Sequence, residues 1–266
     1  MKNTIYKTNA SKKVFNKIVV ASLYASVLAM FLFYFSASSS SASENVSKNS
    51  TKNQCVDTLI IGARGSGGMQ EGSVKDNYTG VSEQVYSLYT KIDRKLNKNN
   101  KTTKLVAVEY PALPVESLLV SASEFEKSIK QGADDIVNKS IEIKQVCPKT
   151  EIIVIGYSQG AMAVHTAEDL LPTNVKAIVL LSDGFRLEND KARVLGGAPR
   201  KTNGLAVGRL KNPLQLDGFP KAVHVCVTED IVCSSNASSI NPEIHTKGYL
   251  DRKLQNNIVK HVVKLL

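Results

Sequence analysis

The 266-residue sequence contains no tryptophan, four cysteines and four histidines, and aromatic residues make up 6% of it. Without tryptophan it offers no evident aromatic platform for stacking along a long glycan. The cysteines form no C-x-x-C pair and no histidine has finger-like spacing, which argues against a zinc site. The glycines form neither G-x-G-x-x-G nor G-K-[ST], which argues against a nucleotide-binding loop.

Positive charge is concentrated at the amino terminus. The formal net charge is +10, from 34 Lys and Arg against 24 Asp and Glu, but residues 1–17 hold five of the lysines and no acid. Residues 44–266 keep 29 basic against 24 acidic residues. With no arginine-rich run and no interleaved aromatics, this modest excess predicts solubility or loose attraction to an anionic surface, not nucleic-acid binding.

Residues 1–43 predict an export signal. The lysine-bearing start is followed by an apolar run at 18–37 and then by small residues, and we predict cleavage after Ala42. The run is long for a cleaved signal and approaches the length that spans a bilayer, so an uncleaved membrane anchor is the alternative. Both interpretations place the domain outside the cell. The polar residues 44–54 are expected to form a flexible tether.

Four cysteines form an even set in a protein predicted to be exported, which predicts two disulfides. The sequence alone permits three pairings. Cys226 and Cys233 are close enough to close a short loop, which leaves Cys55 to pair with Cys147.

Apolar segments alternate with helix-like segments from Cys55 onward. The strand-like segments are VDTLIIGA, KLVAVEYPA, EIIVIGY, VKAIVLLSD and AVHVCVT. The helix-like segments are 80–97, 121–145, 160–171 and 251–266. The alternation predicts one α/β domain over 55–266, with a parallel sheet covered by helices on both faces. We expect this domain to be a monomer. A glycine- and proline-rich connection at 184–220 interrupts the pattern, and a connection this long is usually functional or mobile.

The segment EIIVIGYSQGAMAVH, residues 151–165, places Ser158 between a β-branched run and small helix formers. Gly156 and Gly160 flank the serine in a G-x-S-x-G pattern, with a strand before and a helix after. This is the context of a nucleophile elbow, which raises the serine Oγ above the sheet edge. The flanking glycines let the turn close without side-chain clashes. The alternative is a glycine-rich turn whose serine caps the helix.

A nucleophilic serine needs a histidine base, and three histidines follow Ser158 in the chain. His261 falls in the final helix and is interpreted as a surface histidine. His224 falls inside a strand-like segment, where packing is the expected role. His245 lies in INPEIHTKGY, interpreted as a loop from which a base can reach over the sheet edge. His165 is two helical turns beyond Ser158 and cannot easily fold back to it.

Two acids at strand ends could orient the base, Asp183 in VLLSDG and Asp230 in TEDIVC. Asp183 directly follows a buried strand. Asp230 lies in the loop that the Cys226–Cys233 disulfide would hold rigid, fifteen residues before His245. The residues favour Asp230 and leave Asp183 as its rival.

The first strand-like segment runs into a glycine-rich loop, LIIGARGSGGMQEGS at residues 59–73. A tetrahedral intermediate needs preorganised donors on its oxyanion. The elbow offers the backbone N–H of Gln159, and a residue within 64–66 is the candidate for a second donor. Arg64 itself is interpreted as a structural arginine tied to carbonyls or a carboxylate.

From about Cys55 onward the chain resembles the cutinase family of secreted serine esterases. Five ordered pieces carry the resemblance: ARGSGG, VEYPALP, IGYSQGAMAV, CVTEDIVC and HTKGY. The resemblance implies a cutinase-type α/β-hydrolase fold and hydrolysis of short- to medium-chain, lipid or polyester esters, without metal or cofactor. The residues it implies are a triad of Ser158, Asp230 and His245, an oxyanion hole of Ser66 and Gln159, and the disulfides Cys55–Cys147 and Cys226–Cys233.

The chain departs from fungal members of that family, which have Gly-Asp-Pro where this sequence has LSDGFR and a shorter connection than 184–220. These departures argue against cutin as the substrate and leave ester hydrolysis as the expectation. Two alternatives stay open, a carbohydrate deacetylase of the acetylxylan type and a non-catalytic surface protein that keeps the fold for binding. Segments 113–120 and 231–244 are expected either to flank the cleft and grip an acyl chain or to serve ordinary packing.

Overall fold

The structure is a computed structural model. It describes residues 55–68, 78–210, 216, 221–238 and 241–266. The predicted export signal, the tether at 44–54 and residues 69–73 of the glycine-rich loop lie outside the described residues. None of the described helices combines the length and the hydrophobicity that crossing a bilayer requires.

Within the described residues, six parallel strands form one sheet in the order β2-β1-β3-β4-β6-β5. The strands are β1 (Thr58–Ala63), β2 (Thr103–Ala107), β3 (Glu151–Tyr157), β4 (Val175–Leu181), β5 (Arg193–Leu195) and β6 (Ala222–Val225). The predicted single parallel sheet is therefore confirmed. The sequence patterns missed β5, a three-residue edge strand inside the 184–220 connection, because so short a segment has no measurable periodicity.

The described part of the chain forms six α-helices. They are α1 (Glu83–Asn97), α2 (Ser117–Val120), α3 (Ala122–Val146), α4 (Gln159–Ala167), α5 (Pro242–Lys247) and α6 (Arg252–Val262). Short 3-10 turns follow α4 and α5, at Glu168–Leu170 and Gly248–Leu250. The apolar residues of α1 and α6 join one buried cluster and those of α3 and α4 join another. Helices therefore cover both faces of the sheet, as the apolar strands predicted.

Side-chain alternation along the strands separates the two clusters. Leu59 and Ile61 belong to the cluster under α3 and α4, whereas Ile60 between them belongs to the cluster under α1 and α6. Ile152 and Ile153 divide in the same way on β3. Because successive side chains in a strand point to opposite faces, a strand buried on both faces must be apolar throughout.

His245 lies on the short helix α5 and not in the loop expected from the sequence. The side chain of Asn241 accepts a hydrogen bond from the backbone N–H of Glu243 at 3.0 Å, and Pro242 occupies the first turn. An asparagine cap followed by proline is a helix start, and it outweighs the turn tendency of the flanking residues. The consequence is that His245 projects from a fixed element.

The carboxyl ends of β3, β4 and β6 meet at one edge of the sheet. Each strand is followed directly by a polar turn, which begins at Ser158, at Ser182 and at Cys226 respectively. In open parallel sheets this edge is where ligands bind. The candidate site is built from these three turns and from α5.

Candidate active site

Ser158 occupies the sharp turn between β3 and α4. Its φ is +54° and its ψ is −118°, a conformation that residues other than glycine adopt uncommonly. The backbone N–H of Ser158 donates to the carbonyl of Leu181 at 2.9 Å, which ties the turn to the neighbouring strand. The serine side chain opens on a cleft at the sheet edge. The predicted elbow is therefore present in the fold.

Gly156 and Gly160 are required by close approach of the backbone. A Cβ on Gly156 would lie 2.4 Å from the carbonyl oxygen of Gly160. A Cβ on Gly160 would lie 2.4 Å from the carbonyl oxygens of Ala63 and Arg64. These contacts are with backbone, which cannot move aside. The start of α4 can therefore pack against the end of β3 only because Gly156 lacks a side chain, and against the end of β1 only because Gly160 does.

His245 lies between Ser158 and Asp230. Its Nε2 atom is 3.2 Å from Ser158 Oγ, and its Nδ1 atom is 3.2 Å and 3.3 Å from the two carboxylate oxygens of Asp230. The elbow, the disulfide loop and α5 each contribute one of the three side chains. The arrangement has the geometry of a nucleophile, a base and an orienting acid.

Asp230 is buried and accepts several hydrogen bonds. Ser182 Oγ and the Tyr249 hydroxyl each donate to Oδ2 at 2.5 Å, and the Val232 N–H donates to Oδ1 at 3.1 Å. Burial alone would raise the pKa of this carboxyl. The hydrogen bond and charge of His245 and the hydrogen bonds from Ser182 and Tyr249 outweigh burial, so the pKa is lowered. Asp230 is therefore ionised at neutral pH.

The Cys226–Cys233 disulfide closes the loop that carries Asp230. Inside the loop the Asp230 N–H donates to the Val227 carbonyl at 3.0 Å, and the Asp230 carbonyl accepts from Ser234 N–H at 3.0 Å. The second predicted bridge, Cys55–Cys147, is also present. The carboxylate thus stands on a short, covalently closed and internally bonded turn.

Tyr157 holds the imidazole from the side of β3. Its ring stacks on the His245 ring with centroids 5.1 Å apart, and its hydroxyl donates to the His245 carbonyl at 3.0 Å. Burial, together with the nearby Asp230 charge, raises the pKa of this tyrosine, so it remains a protonated donor. The motif IGYSQGAMAV contained this residue, but its hydrogen-bonding role had no signature in the sequence.

Ser66 and Gln159, the two residues predicted to form an oxyanion hole, both lie at the end of the sheet that carries Ser158. Ser66 lines the cleft, and Gln159 is the first residue of α4, directly after Ser158. The loop that carries Ser66 approaches closely, since a Cβ on Gly65 would lie 2.8 Å from the Tyr157 ring. The Gly67 N–H donates to the Ala112 carbonyl at 2.7 Å and fixes this loop at the sheet edge.

Arg64 has the structural role that the sequence suggested. The buried guanidinium donates to the carbonyls of Gly68 and Val108, each at 3.0 Å, and to that of Tyr110. It also lies 4.9 Å from the centre of the Tyr110 ring. Arg64 therefore joins the loop after β1 to the segment after β2, and it is not among the residues that line the cleft.

Asp183, the rival acid, serves a different histidine. Its Oδ2 atom is 2.6 Å from Nδ1 of His165, and both side chains are fully buried. His224 packs beside this pair on β6, and its Nε2 atom is 2.9 Å from Asp190 Oδ2. His261 is half-buried on α6. Only His245, among the described histidines, lies within hydrogen-bonding distance of Ser158.

The cleft beside Ser158 has a volume of about 480 Å³ and an apolar wall. Val115 and Leu118 come from the 113–120 segment, and Ile231 and Val232 come from the 231–244 segment, so both segments flank it. The 184–220 connection adds Gly184, Leu205, Ala206 and Leu210. Within the described residues, no group of three or more His, Cys, Asp or Glu side chains is arranged to hold a metal ion.

Ser182→Ala and Tyr249→Phe should each lower kcat for an ester substrate by about tenfold, because each removes one donor that orients Asp230 toward His245. KM should change little, since neither residue lines the cleft. Ser140→Ala is the matched control, because this buried hydroxyl donates to the Ile136 carbonyl on α3, remote from the site. Steady-state kinetics with thermal melts would test this. Unchanged kcat in both site variants would show that backbone and packing alone orient Asp230.

Comparison with known sequences identifies the family to which the chain belongs. The profile of the family described as Cutinase matches residues 54–266. A cutinase of Hypocrea jecorina is 30% identical over 90 residues, and one of Trichoderma harzianum is 32% identical over 90 residues. Each alignment covers 32% of this chain and 33% of the relative. The chain thus spans about a third of the length of the curated relatives it matches.

Solved structures share the fold at lower identity. A cutinase-like protein from Cryptococcus sp. has a TM-score of 0.61 at 22% identity, covering 79% of this chain and 95% of that one. The catalytic core domain of acetyl xylan esterase from Trichoderma reesei has a TM-score of 0.58 at 17% identity. The match covers 80% of this chain and 100% of that one. A Trichoderma reesei cutinase in complex with a phosphonate inhibitor has a TM-score of 0.53 at 22% identity. The match covers 79% of this chain and 77% of that one. At these identities the likeness shows a common fold.

Proposed function

The chain belongs to the cutinase family, and from that premise we propose that it is an exported serine esterase that hydrolyses carboxylic esters through an acyl-enzyme. One observation carries the proposal: His245 lies within hydrogen-bonding distance of both Ser158 and Asp230 at the mouth of an apolar cleft. A protein that kept the fold only for binding would have no need of this arrangement.

In the proposed mechanism, Ser158 Oγ attacks the ester carbonyl while His245 Nε2 takes its proton. Asp230 remains ionised, accepts the Nδ1–H hydrogen bond and stabilises the imidazolium. The backbone N–H of Gln159 and Ser66 hold the oxyanion of the tetrahedral intermediate. His245 then gives the proton to the leaving alcohol, and water repeats the cycle on the acyl-enzyme.

The shape and chemistry of the cleft support an ester with an apolar acyl chain. Its wall is formed by aliphatic side chains, including Val115, Leu118 and Leu210, from three separate segments. An acetyl group would leave most of this apolar surface uncovered. One structural relative is described as an acetyl xylan esterase, so a carbohydrate deacetylase is the alternative proposal. The two proposals differ in the acyl length that each predicts.

Export is the second part of the proposal. The two disulfides support an oxidising compartment, where such bonds form and persist. The sequence of residues 1–43 supports secretion with cleavage after Ala42, or anchoring through 18–37 with the domain outside. We further propose that the domain is active as a monomer, because the three proposed catalytic side chains all come from one chain.

The test is a covalent probe combined with a chain-length series. An alkyl phosphonate should add to Ser158 of the protein recovered outside the cell, and mass spectrometry of that product should also show a chain beginning at Ser43. Turnover of p-nitrophenyl esters should be insensitive to EDTA and higher for butyrate or octanoate than for acetate. A label on another residue, with no ester turnover by the folded protein, would refute the esterase proposal. A strong preference for acetate would favour the deacetylase.

A further inference from the structure

A groove that contains none of the proposed catalytic residues is lined by seven basic side chains. It lies between α1 and α6, has a volume of about 600 Å³ and shares no lining residue with the apolar cleft. The basic residues are Lys91, Arg94 and Lys95 of α1 and Lys98 directly after it, with Arg252 and Lys260 of α6 and Lys264 in the turn after α6. Asn256, Val259 and Val263 complete the lining. We call this surface the basic groove.

The basic groove accounts for the whole positive excess of the exported part of the chain. Residues 44–266 carry 29 basic and 24 acidic residues, so without these seven they carry 22 basic and 24 acidic residues. The rest of that segment is therefore slightly negative. A concave surface lined by one sign of charge focuses the electric field and raises the local concentration of ions of the opposite sign.

Stability of the fold does not explain the cluster. Cations in the last turn of a helix complement its dipole, which accounts for Arg94, Lys95 and Lys260. Arg252, however, stands at the first residue of α6, where the helix dipole disfavours a cation. None of the seven forms a salt bridge with an acidic side chain of the described residues. All except Lys91 are exposed.

We propose that the basic groove docks the domain on an anionic lipid bilayer, with its cations against the phosphates of the headgroups. Five of the seven are lysines on flexible stems, which suit many diffuse contacts better than one bidentate site. No aromatic side chain is among the described residues that line the groove, so it lacks the stacking surface that single-stranded nucleic acid requires.

The charge of the groove and the amino-terminal sequence favour a membrane as the partner. Val259 is buried and Val263 is half-buried beneath the cations, so the groove meets a partner mainly through positive charge. Residues 18–37 would meet a bilayer during export or remain in it. In an anchored protein, residues 18–37 and the basic groove would act together, because stable membrane attachment usually takes two signals. In a cleaved protein the groove alone would give reversible, salt-sensitive binding. The proposal does not rest on the esterase function.

The test is vesicle co-sedimentation with residues 44–266, a segment that contains both disulfides and both apolar clusters. Vesicles of phosphatidylcholine with about 30 mol% phosphatidylglycerol should bind the protein at low salt, and pure phosphatidylcholine should not. Binding should weaken as ionic strength rises, because salt screens exposed charges. Inorganic phosphate at matched ionic strength should not release the protein, since the groove holds no closed site for a single ion.

Two quadruple variants separate the groove from net charge. The first changes Lys95, Lys98, Lys260 and Lys264 to glutamine, and the control changes Lys127, Lys130, Lys149 and Lys201, which are exposed outside the groove. Each lysine near an anionic surface strengthens binding roughly fivefold, so the first variant should lose about a hundredfold or more in vesicle affinity. The control should keep most of it. Both should retain wild-type turnover of a soluble ester.

Three results would overturn the proposal. The first is no binding to the anionic vesicles at low salt. The second is an equal loss of affinity in the two variants, which would assign the attraction to net charge. The third is tighter binding to a single-stranded oligonucleotide than to vesicles at equal phosphate concentration, which would assign the groove to nucleic acid. If neither the wild type nor the two variants hydrolysed an ester, the proposed function would be refuted, and the conclusion from the vesicle binding would still stand.

Discussion

Ser158→Ala should lower kcat for p-nitrophenyl butyrate by about 10⁴- to 10⁶-fold, the range expected when the nucleophile of a triad is removed. The substitution deletes only Oγ, and alanine meets the same positive φ as serine, so the backbone of the turn is not further strained. The thermal midpoint should therefore stay close to that of the wild type. Kinetics and a thermal melt on the same preparation measure both quantities.

Ser140→Ala is again a suitable control, because it also deletes a buried hydroxyl but on α3. It should retain normal turnover and normal labelling by the phosphonate. Ser158→Ala should not be labelled at all. Residual turnover of Ser158→Ala above a hundredth of the wild-type value, in a preparation free of contaminating esterase, would mean that Ser158 is not the nucleophile.

Asp230→Asn should act on turnover and Asp183→Asn on stability, although each changes a buried carboxylate that contacts a histidine. Asp230→Asn should lower kcat by about 10⁴-fold, because an amide can present N–H to His245 Nδ1 and stabilise the wrong tautomer. It also cannot stabilise the imidazolium by charge. Steady-state kinetics at neutral pH, with His245→Ala as the companion variant, measures this loss.

Asp183→Asn should act mainly on stability. Its Oδ2 atom contacts His165, and its Oδ1 atom accepts from the Phe185 N–H at 2.9 Å, with no contact to Ser158 or His245. Weakening this buried, hydrogen-bonded pair should lower the free energy of unfolding by about 1–3 kcal/mol. Denaturant unfolding measures this change. A folded but inactive Asp183→Asn, paired with a near-normal Asp230→Asn, would reverse the assignment of the acid.

The choice between the two acids shows where the sequence stops being informative. Ser182 and Asp183 are adjacent, and their side chains reach different partners, Ser182 toward Asp230 and Asp183 toward His165. Ser182 has a φ of +56° in the turn directly after β4, and there the side chains of neighbouring residues diverge, so a shift of one position changes which histidine an acid can meet. The spacing along the chain placed both acids at the correct sheet edge. It carried no information about the direction of either side chain.

Long periodic elements and the elbow could be predicted, and short elements fixed by local hydrogen bonds could not. The strands have continuous apolar runs, and Gly156 and Gly160 mark the elbow because nothing larger fits there. Helix α5 is set by an asparagine cap and a proline, and β5 by pairing with β6, neither of which has a hydrophobic period. Ser182 was missed as a partner of Asp230 because a serine after a strand is common and has no distinctive spacing.

The Cys55–Cys147 bridge also determines how mechanical load enters the domain. The two cysteines are 92 residues apart, and Cys55 precedes the first residue of β1 by three positions. Tension applied to the preceding chain therefore reaches the sulfur bridge before it reaches β1, and part of it passes to the end of α3. Strand β1 lies between β2 and β3 in parallel pairing, so a pull along it must shear hydrogen bonds on both sides together. Force applied to the amino end of the domain is therefore carried by a covalent crosslink and by a strand that is hydrogen-bonded on both sides.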